Sequence, residues 1–454
     1  MKSFPIILAA GQGTRMRSQL PKVLHTIGGK PMLQHVIDAC SSLETSKLAV
    51  VYGHGGEYVQ QAISDDRIQW VLQAEQKGTG HAVAQAIDII EDDDQVVIAY
   101  GDVPLIKPAT LKALVEKLAD ADLCVLTTYL DNPFGYGRIV RNDKGQITRI
   151  VEEKDATDEI RQIKEGNTGF IAARGKDLKR WLKALSPENA QGEYYLTDCI
   201  ALAVEEGGNV QAVVCDSPIE VQGVNNRIQQ AELERAYQLD KVNEIMLAGA
   251  TVADPARVDI RGNVQVGQDV KIDINAVFNG DVVLGDNVSI QANCVITNAT
   301  IGDGTLIKPN CVIESAEIRS DCEVGPFARI RPLAVLKDKA KIGNFVEIKK
   351  SVIGEGSKVS HLSYIGDTTM GTDVNIGAGT ITCNYDGVNK FETIIGDGVF
   401  VGSSTQLIAP VIVEKNTTIG AGSTITKDTP EGELTLSRAK QITIKGWARP
   451  TKKK

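Results

Sequence analysis

A loop with two glycines and two cationic side chains follows the first apolar run of the chain. The segment LAAGQGTRMRSQLPKVL begins at Leu8 and contains Gly11, Gly13, Arg15 and Lys22. Small residues let backbone N–H groups approach an anion closely, while arginine and lysine supply positive charge. A glycine turn after a strand is often only a turn, but the added arginine and Pro-Lys pair favour a phosphate-binding loop.

This loop differs from two common nucleotide-binding motifs. In GxGxxG the third glycine would stand where this chain has Met16, and the pattern GxxxxGK[ST] does not occur. The loop therefore supports neither a dinucleotide-binding motif nor a Walker loop.

A second apolar run is followed by a carboxylate residue. In QVVIAYGDVP the run ends at Asp102, two residues before Pro104. Ligands of open α/β sheets gather at the carboxyl ends of the strands, and carboxylate oxygens suit Mg²⁺. Asp102 could be only a turn residue, but this position favours a metal ligand.

Polar residues that a repetitive fold does not need occur in the C-terminal half. They are Arg331, Glu347, Lys349, His361, Tyr364, Asn375, Asn384 and Tyr385. An imidazole such as that of His361 can exchange a proton near neutral pH, and Glu347 could orient it or balance its charge. The other histidines are interpreted as surface or packing residues: His25, His35, His54 and His81.

Two kinds of periodicity predict the elements that position these residues. Between residue 3 and about 225, apolar runs alternate with helical stretches, which predicts an α/β domain with a mainly parallel sheet. Residues 226–248 predict one long helix. From about residue 250 an aliphatic or aromatic residue recurs every six positions, which predicts nearly ten coils of a three-sided parallel β-helix.

The hexapeptide repeat breaks at CNYDGVNKFET, residues 383–393. An irregular insertion in a regular prism is a place where function is expected. The repeat alone does not indicate catalysis, because solenoids also serve as spacers and oligomerisation surfaces.

Composition narrows the range of partners. The net charge of -9 and the pI near 5.3 argue against a nucleic-acid binder, whose affinity depends on cationic contacts to phosphate. No stretch approaches the length of a membrane span, and the N-terminal segment fits a buried strand better than a signal peptide. The eight cysteines lack CxxC pairs and are interpreted as reduced thiols, mostly in the core, of a cytoplasmic protein.

The motif GxGTRMxxxxPK resembles the signature of sugar-nucleotide pyrophosphorylases. With the hexapeptide repeat that follows, the whole chain resembles the bacterial family that joins N-acetylglucosamine-1-phosphate uridylyltransferase to glucosamine-1-phosphate acetyltransferase. The resemblance implies a Rossmann-like nucleotidyltransferase domain at 1–225, a linker helix at 226–248, and a left-handed parallel β-helix with a C-terminal tail at 249–454. It also implies a role in UDP-N-acetylglucosamine synthesis for peptidoglycan and lipopolysaccharide.

For the first domain, the resemblance implies a set of UTP and sugar contacts. The UTP contacts would be Leu8, Ala9, Ala10, Gly11, Arg15, Lys22, Gln73, Gly78, Thr79, Tyr100, Gly101 and Asp102, and the contacts to the N-acetylglucosamine moiety would be Gly137, Glu152, Asn167 and Asn225. Asp102 and Asn225 would bind Mg²⁺. Arg15 and Lys22 would assist catalysis.

For the second domain, the resemblance implies that His361 is the general base. Arg331 and Lys349 would bind the phosphate of glucosamine-1-phosphate, and Tyr364, Asn375 and Asn384 would orient its sugar. The acetyl-CoA contacts would be Ala378, Asn384, Tyr385, Ser403, Ala421 and Arg438. Acetyl-CoA and UTP would be the co-substrates of a cytoplasmic homotrimer.

Two alternative functions remain open at this stage. One is a single-activity sugar-phosphate nucleotidyltransferase with a structural or regulatory β-helix, against which Arg331, Lys349 and His361 argue. The other is a non-catalytic binding scaffold, against which Arg15, Lys22 and Asp102 argue.

Overall fold

The computed structural model describes residues 2–43, 45–53 and 55–452. His54 therefore lies outside the described residues. The chain divides into two compact units, of which the first ends at Tyr237 and the second begins at Gln238. The domain boundaries drawn from the sequence, at 225 and 249, stay a prediction.

A mixed sheet forms the centre of the first unit. Its strands follow the order Val210–Val214, Leu123–Tyr129, Glu165–Arg174, Gln95–Tyr100, Ser3–Ala9, Leu48–Tyr52 and Ile68–Leu72. Strand Glu165–Arg174 is antiparallel to both of its neighbours in this row, and the other neighbouring pairs are parallel. The expectation of an α/β domain is confirmed, and its sheet is mixed because strand Glu165–Arg174 runs against its neighbours.

Shorter strands extend this unit. A hairpin of Arg138–Arg141 and Ile147–Val151 pairs with Glu165–Arg174, and a separate two-stranded ribbon joins Thr26–Ile27 to Lys30–Pro31. The hairpin brings Gly137 and Glu152, which directly flank its strands, toward the end of strand Glu165–Arg174 that holds Asn167.

Helices cover both faces of the sheet, so most side chains of its central strands are buried. The helices are Met32–Ser41, Gly56–Ala62, Thr79–Ala84, Pro108–Lys117, Asp158–Arg161, Gly175–Ala184 and Asp198–Glu205. One buried cluster contains side chains of Met32–Ser41 and Pro108–Lys117. The opposite cluster contains side chains of Thr79–Ala84, Gly175–Ala184 and Asp198–Glu205.

A long helix, Arg227–Leu247, occupies the segment for which the sequence predicts one. The side-chain oxygen of Asn226 accepts hydrogen bonds from the backbone N–H groups of Ile228 and Gln229, at 2.9 and 3.0 Å, and caps the helix. The preceding residue, Asn225, is held to the first turn of the helix by its backbone N–H, which donates to Oε1 of Gln229 at 2.8 Å. None of the helices in the described part of the chain has the length and apolar composition of a membrane span.

The second unit is a parallel β-helix. One sheet contains Ala250–Val252, Val270–Ile272, Ser289–Ile290, Leu306–Ile307, Glu323–Val324, Lys341–Asn344, Lys358–His361, Asn375–Ile376, Phe400–Val401, Thr418–Ile419 and Leu434–Thr435. Lys341 pairs with Glu323 in the preceding coil and with Lys358 in the following one. The two pairings show that successive coils here contain 18 and 17 residues.

A second, continuous sheet forms the remaining two sides. The strands Val258–Val266, Ala276–Leu284 and Val295–Ile301 contribute to both sides. One side continues as Val312–Glu314, Arg329–Ile330, Glu347–Lys349, Tyr364–Gly366, Ile381–Cys383, Gln406–Ile408 and Thr424–Ile425. The other continues as Glu317–Ile318, Val335–Leu336, Val352–Ile353, Thr368–Met370, Thr393–Ile395 and Val411–Val413.

The six-residue periodicity is the packed interior of this β-helix. Ile272, Phe278 and Leu284, spaced six residues apart, are at most 2% exposed. The regular spacing fails where Asn375 pairs with Phe400, because this coil is longer than its neighbours. The extra residues form a small hairpin, closed by an antiparallel bridge between Tyr385 and Lys390, at the break that the sequence predicts.

Candidate active sites

The glycine-rich loop follows strand Ser3–Ala9, and close packing explains its composition. Gly13 has φ 62°, and a Cβ atom there would lie 2.6 Å from the Cβ of Lys22. Only glycine therefore lets this turn approach Lys22 without displacement. Met16, at the position of the third motif glycine, is buried in a cluster with Ile27 and Met32, so it anchors the loop instead.

Four of the predicted polar residues converge at the end of this loop. Arg15 donates a hydrogen bond from Nη2 to Oδ1 of Asn225, at 2.8 Å. Lys22 forms an ion pair with Asp102 and lies 3.4 Å from the same Asn225 oxygen. Residues up to 210 positions apart in the sequence therefore form one network of contacts. The network includes the cationic side chains of Arg15 and Lys22.

The oxygen pair of Asp102 and Asn225 fits a hard cation. The Lys22 ammonium contacts both oxygens, so a positive charge between them is already favourable. Among the described residues, no group of three or more His, Cys, Asp or Glu side chains could hold a metal. A cation held by two protein oxygens alone would complete its shell with water and substrate oxygens, as Mg²⁺ commonly does.

Two adjoining cavities meet at this network. The smaller one, of about 300 Å³, is lined by these predicted UTP contacts: Leu8, Ala9, Ala10, Gly11, Lys22, Gln73, Gly78, Thr79, Tyr100 and Asp102. The larger one, of about 590 Å³, is lined by Arg15, Thr79, Tyr100, Asp102, Gly137, Glu152, Asn167 and Asn225, among others. Gly101 does not line either cavity; it is buried and donates its N–H to the carbonyl of Leu8.

The wall of the smaller cavity depends on contacts that local sequence patterns do not reveal. Gly78 has φ 105°, and a Cβ there would lie 2.5 Å from the carbonyl oxygen of Tyr194. Gln73 donates from Nε2 to the carbonyl of Gly78 and also contacts Nδ1 of His81, at 3.2 and 3.1 Å. His81 therefore positions Gln73, a role that the sequence analysis missed.

Glu152 is a half-buried carboxyl group in the wall of the larger cavity. Thr197 donates a hydrogen bond to its Oε1, at 3.2 Å. Burial raises the pKa of Glu152, and the nearby Asp155 and Asp198 raise it further. Burial and the carboxylates of Glu152 and Asp102 likewise raise the pKa of Tyr100.

We expect Glu152→Gln to stabilise the first unit at neutral pH while weakening sugar binding. The folded-state pKa lies above the unfolded value of 4.5, so ionisation of Glu152 costs stability as pH rises above that value. The rise in Tm caused by Glu152→Gln should be larger at pH 8 than at pH 5, measured on the unfolding transition that UTP shifts. Equal gains at both pH values would contradict this assignment.

In the second unit, one corner of the β-helix aligns the predicted base with most predicted coenzyme A contacts. Strand register places His361 beside Asn344, and the following coils place Ala378, Ser403 and Ala421 in the same column. Backbone hydrogen bonds follow the column, from Gly379 N–H to the carbonyl of His361 and from Ser404 N–H to that of Ala378.

Arg438 reaches the C-terminal end of this column. A Cβ added at Gly422 would lie 3.6 Å from Cδ of Arg438. The predicted coenzyme A contacts Ala378, Ser403, Ala421 and Arg438 therefore form one continuous strip that starts at His361.

The neighbouring side of the β-helix carries the predicted phosphate ligands. The strand register places Arg331 and Lys349 in consecutive coils. Tyr364 lies in the next coil, where it pairs with Glu347. Arg331 donates from Nη1 to Oε1 of Glu347, at 2.7 Å, whereas Oδ1 of Asn344 contacts Nδ1 of His361. The suggestion that Glu347 orients His361 is wrong, because its carboxylate balances Arg331 instead.

The hairpin insertion adds a cation that the sequence analysis did not select. Lys390 lies beside Lys349, and the contact between the two ammonium groups lowers the pKa of Lys349. Two adjacent like charges, with Arg331 also contributing, indicate a position where an anion would be favourable.

The other polar residues of the insertion have defined partners. Asn384 donates to the buried Asp367, while Tyr385 donates from its hydroxyl to the carbonyl of Gly387. Burial raises the pKa of the half-buried Cys383 thiol, which disfavours the reactive thiolate. Asn375 begins a strand of the first sheet, so it does not share a face with Tyr364.

Comparison with known proteins gives matches to both halves. Residues 5–173 match the MobA-like NTP transferase domain, residues 260–342 the GMPPB C-terminal domain, and residues 392–427 six repeats of the bacterial transferase hexapeptide. A solved structure of UDP-glucose pyrophosphorylase complexed with UDP-glucose matches with a TM-score of 0.44 and 18% identity, covering 52% of this chain and 98% of that chain.

The fold, sites and domain matches together define a nucleotidyltransferase joined to a hexapeptide-repeat acyltransferase. The bifunctional protein GlmU of Marinobacter nauticus is 57% identical over 447 residues, which cover 98% of this chain and 98% of the relative. The chain belongs to the GlmU family. It is a bifunctional enzyme with an acetyltransferase and a uridylyltransferase activity, so the two-activity prediction is confirmed.

Proposed function

We propose that the first unit transfers UMP from UTP to N-acetylglucosamine-1-phosphate. The observation that carries this proposal is the convergence of Arg15, Lys22, Asp102 and Asn225 where two cavities meet. The smaller cavity, with its close backbone approach at the glycine-rich loop, takes the nucleotide. The larger cavity takes the sugar phosphate, with Glu152, Asn167 and the backbone at Gly137 around the sugar.

The reaction joins two anions, so positioning and charge neutralisation are its main requirements. A phosphate oxygen of the sugar phosphate bonds to the α-phosphorus of UTP, and the bond from that phosphorus to the pyrophosphate oxygen breaks. Arg15 and Lys22 lower the repulsion between the reactants and stabilise charge on the leaving group. Asp102 and Asn225 would hold Mg²⁺, which supplies further neutralisation of the phosphates when bound.

In the second unit, we propose that an acetyl group passes from acetyl-CoA to the amine of glucosamine-1-phosphate. The amine nitrogen bonds to the thioester carbon, the carbon–sulfur bond breaks, and coenzyme A leaves. His361 accepts the proton that the amine loses. Arg331, Lys349 and Lys390 bind the sugar phosphate, and the strip from Ala378 to Arg438 binds coenzyme A.

The positions of two predicted sugar contacts bear on the oligomeric state of the protein. Tyr364 and Asn375 lie in different sheets of one β-helix, so a sugar site that uses both is most easily completed between neighbouring copies. We therefore propose a trimer, acting in the cytoplasm, with Asn384 and Tyr385 also facing the acceptor and coenzyme A. Light scattering should give three times the chain mass of 48.8 kDa, and a monomer would contradict the proposal.

A single incubation tests both reactions. With glucosamine-1-phosphate, acetyl-CoA, UTP and Mg²⁺ present, UDP-N-acetylglucosamine and pyrophosphate should form. Omission of acetyl-CoA should stop all product, while N-acetylglucosamine-1-phosphate should restore it. Formation of UDP-sugar at an unchanged rate without acetyl-CoA would contradict the proposed order of steps.

We expect Lys390→Ala to raise the KM for glucosamine-1-phosphate by roughly tenfold, the effect of losing one charge-assisted hydrogen bond to phosphate. The KM for acetyl-CoA should change little, because the lysine lies beside Lys349 and not along the coenzyme A strip. Lys271→Ala, at an exposed position of the first sheet, is the matched control. An unchanged KM in the Lys390 variant would remove Lys390 from the phosphate site.

A further inference from the structure

An amide side chain, rather than a carboxylate, contacts the inner nitrogen of His361. The distance between Oδ1 of Asn344 and Nδ1 of His361 is 2.8 Å. A carbonyl oxygen can only accept a hydrogen bond, so in this geometry Nδ1 must carry the proton. In a neutral imidazole with Nδ1 protonated, the lone pair that can accept a proton is on Nε2.

The β-helix holds these two side chains in fixed relative positions. Asn344 and His361 are paired residues at the ends of neighbouring strands, Lys341–Asn344 and Lys358–His361. The backbone N–H of Leu362 donates to the carbonyl of Asn344, at 3.1 Å, and Ser363 donates from Oγ to the carbonyl of His361, at 2.8 Å. The contact is therefore built into the corner of the coil.

The chemical nature of the side chain that contacts His361 determines the charge next to the imidazole. Glu347, the carboxylate suggested by the sequence, is engaged with Arg331. The amide of Asn344 orients the imidazole without placing a negative charge next to it. The tautomer of a histidine is set by the hydrogen bond that its other nitrogen makes.

We propose that Asn344 is a positioning residue that selects the Nδ1–H tautomer of His361 and directs Nε2 toward the substrate amine. This inference rests on the proposed function of the second unit, in which His361 is the general base. Asn344 itself does not contact the reacting atoms. It acts on the rate of proton transfer through the orientation and protonation of the ring.

The test compares Asn344→Leu, which keeps a similar volume but has no acceptor, with Asn344→Asp, which keeps an oxygen at the same place. For Asn344→Leu we expect kcat of acetyl transfer to fall roughly tenfold or more, the loss expected for one orienting hydrogen bond. The KM values for glucosamine-1-phosphate and acetyl-CoA should remain within roughly threefold, because binding groups are intact. Asn344→Asp should retain clearly more kcat than the leucine variant.

Two controls separate this role from a loss of folding. UTP turnover by the first unit should be unchanged in both variants. Asn279→Leu removes a comparable amide contact between coils, to Thr297 at 3.2 Å, and should leave acetyl transfer unchanged. In a His361→Ala background, Asn344→Leu should cause no further loss.

The outcomes distinguish the inference from the proposed function. An unchanged kcat in Asn344→Leu, a change confined to KM, or an aspartate variant as slow as leucine would overturn the positioning role while leaving His361 as the base. Unchanged acetyl transfer in His361→Ala would instead overturn the proposed base, and with it any role for Asn344.

Discussion

His361→Ala is expected to lower kcat of acetyl transfer by roughly 10²–10⁴-fold, the usual contribution of a positioned general base. The substrate amine must lose a proton as it attacks the thioester, and His361 begins the strip that Ala378 and Ser403 continue. The measurement is release of the coenzyme A thiol with glucosamine-1-phosphate as the acceptor.

The uridylyltransferase activity of the first unit is the internal control for the His361→Ala variant. UTP turnover with N-acetylglucosamine-1-phosphate depends on residues of the first unit, so its kcat should equal that of the parent protein. The KM for acetyl-CoA should also change little, because an exposed imidazole contributes less to binding than the extended strip does. A variant that acetylates at the parent rate would eliminate His361 as the base.

Asp102→Asn is expected to lower kcat/KM for UTP by roughly 10²–10³-fold, as for loss of one preorganised electrostatic contact in a transition state. The carboxylate is 18% exposed and pairs with Lys22, so its charge acts in a site largely shielded from water. Removing that charge weakens cation binding and leaves Lys22 without its anionic partner. The measurement is pyrophosphate release as a function of Mg²⁺ concentration.

Asp143→Asn is the matched control for this loss. Asp143 is an exposed residue of the turn between strands Arg138–Arg141 and Ile147–Val151, away from the cavities. It should retain the parent activity. The Asp102 variant should need more Mg²⁺ for half-maximal activity, and an unaltered Mg²⁺ dependence would contradict the assignment of Asp102 as a ligand.

Local patterns are sufficient to predict the architecture and one side of the first site. Alternating apolar and helical segments predict the α/β sheet, and the six-residue repeat predicts the β-helix, because each reflects a burial period of a single element. Gly13, Arg15 and Lys22 lie within one loop, so their common purpose is visible in a short stretch of sequence. Asp102 is visible because it ends an apolar strand.

Other site residues depend on contacts between distant segments. Asn225 reaches Arg15 across 210 residues, and only the family resemblance points to it. His81 acts through Gln73, and no motif connects the two. Glu347 and His361 are polar residues of the same part of the repeat, which suggests a contact between them. The strand register instead pairs His361 with Asn344.

For Asn344 the hexapeptide repeat provides only an approximate signal. It stands one coil before His361, and the two residues pair in neighbouring strands. Counting back the three six-residue sides of a regular coil from His361 leads to Gly343, next to this asparagine, and the observed register, in which this coil is one residue shorter, identifies Asn344 as the partner. Lys390 has no such signal, because the irregular insertion interrupts the register that makes the rest of the β-helix predictable.

Mixing the two inactivated variants tests most directly whether two separate sites perform consecutive reactions. Asp102→Asn alone should accumulate N-acetylglucosamine-1-phosphate from glucosamine-1-phosphate and acetyl-CoA, and His361→Ala alone should form no product from them. Together, with UTP and Mg²⁺, they should restore formation of UDP-N-acetylglucosamine. Failure of the mixture, when each variant retains its remaining activity, would show that the two reactions cannot be divided between the two units.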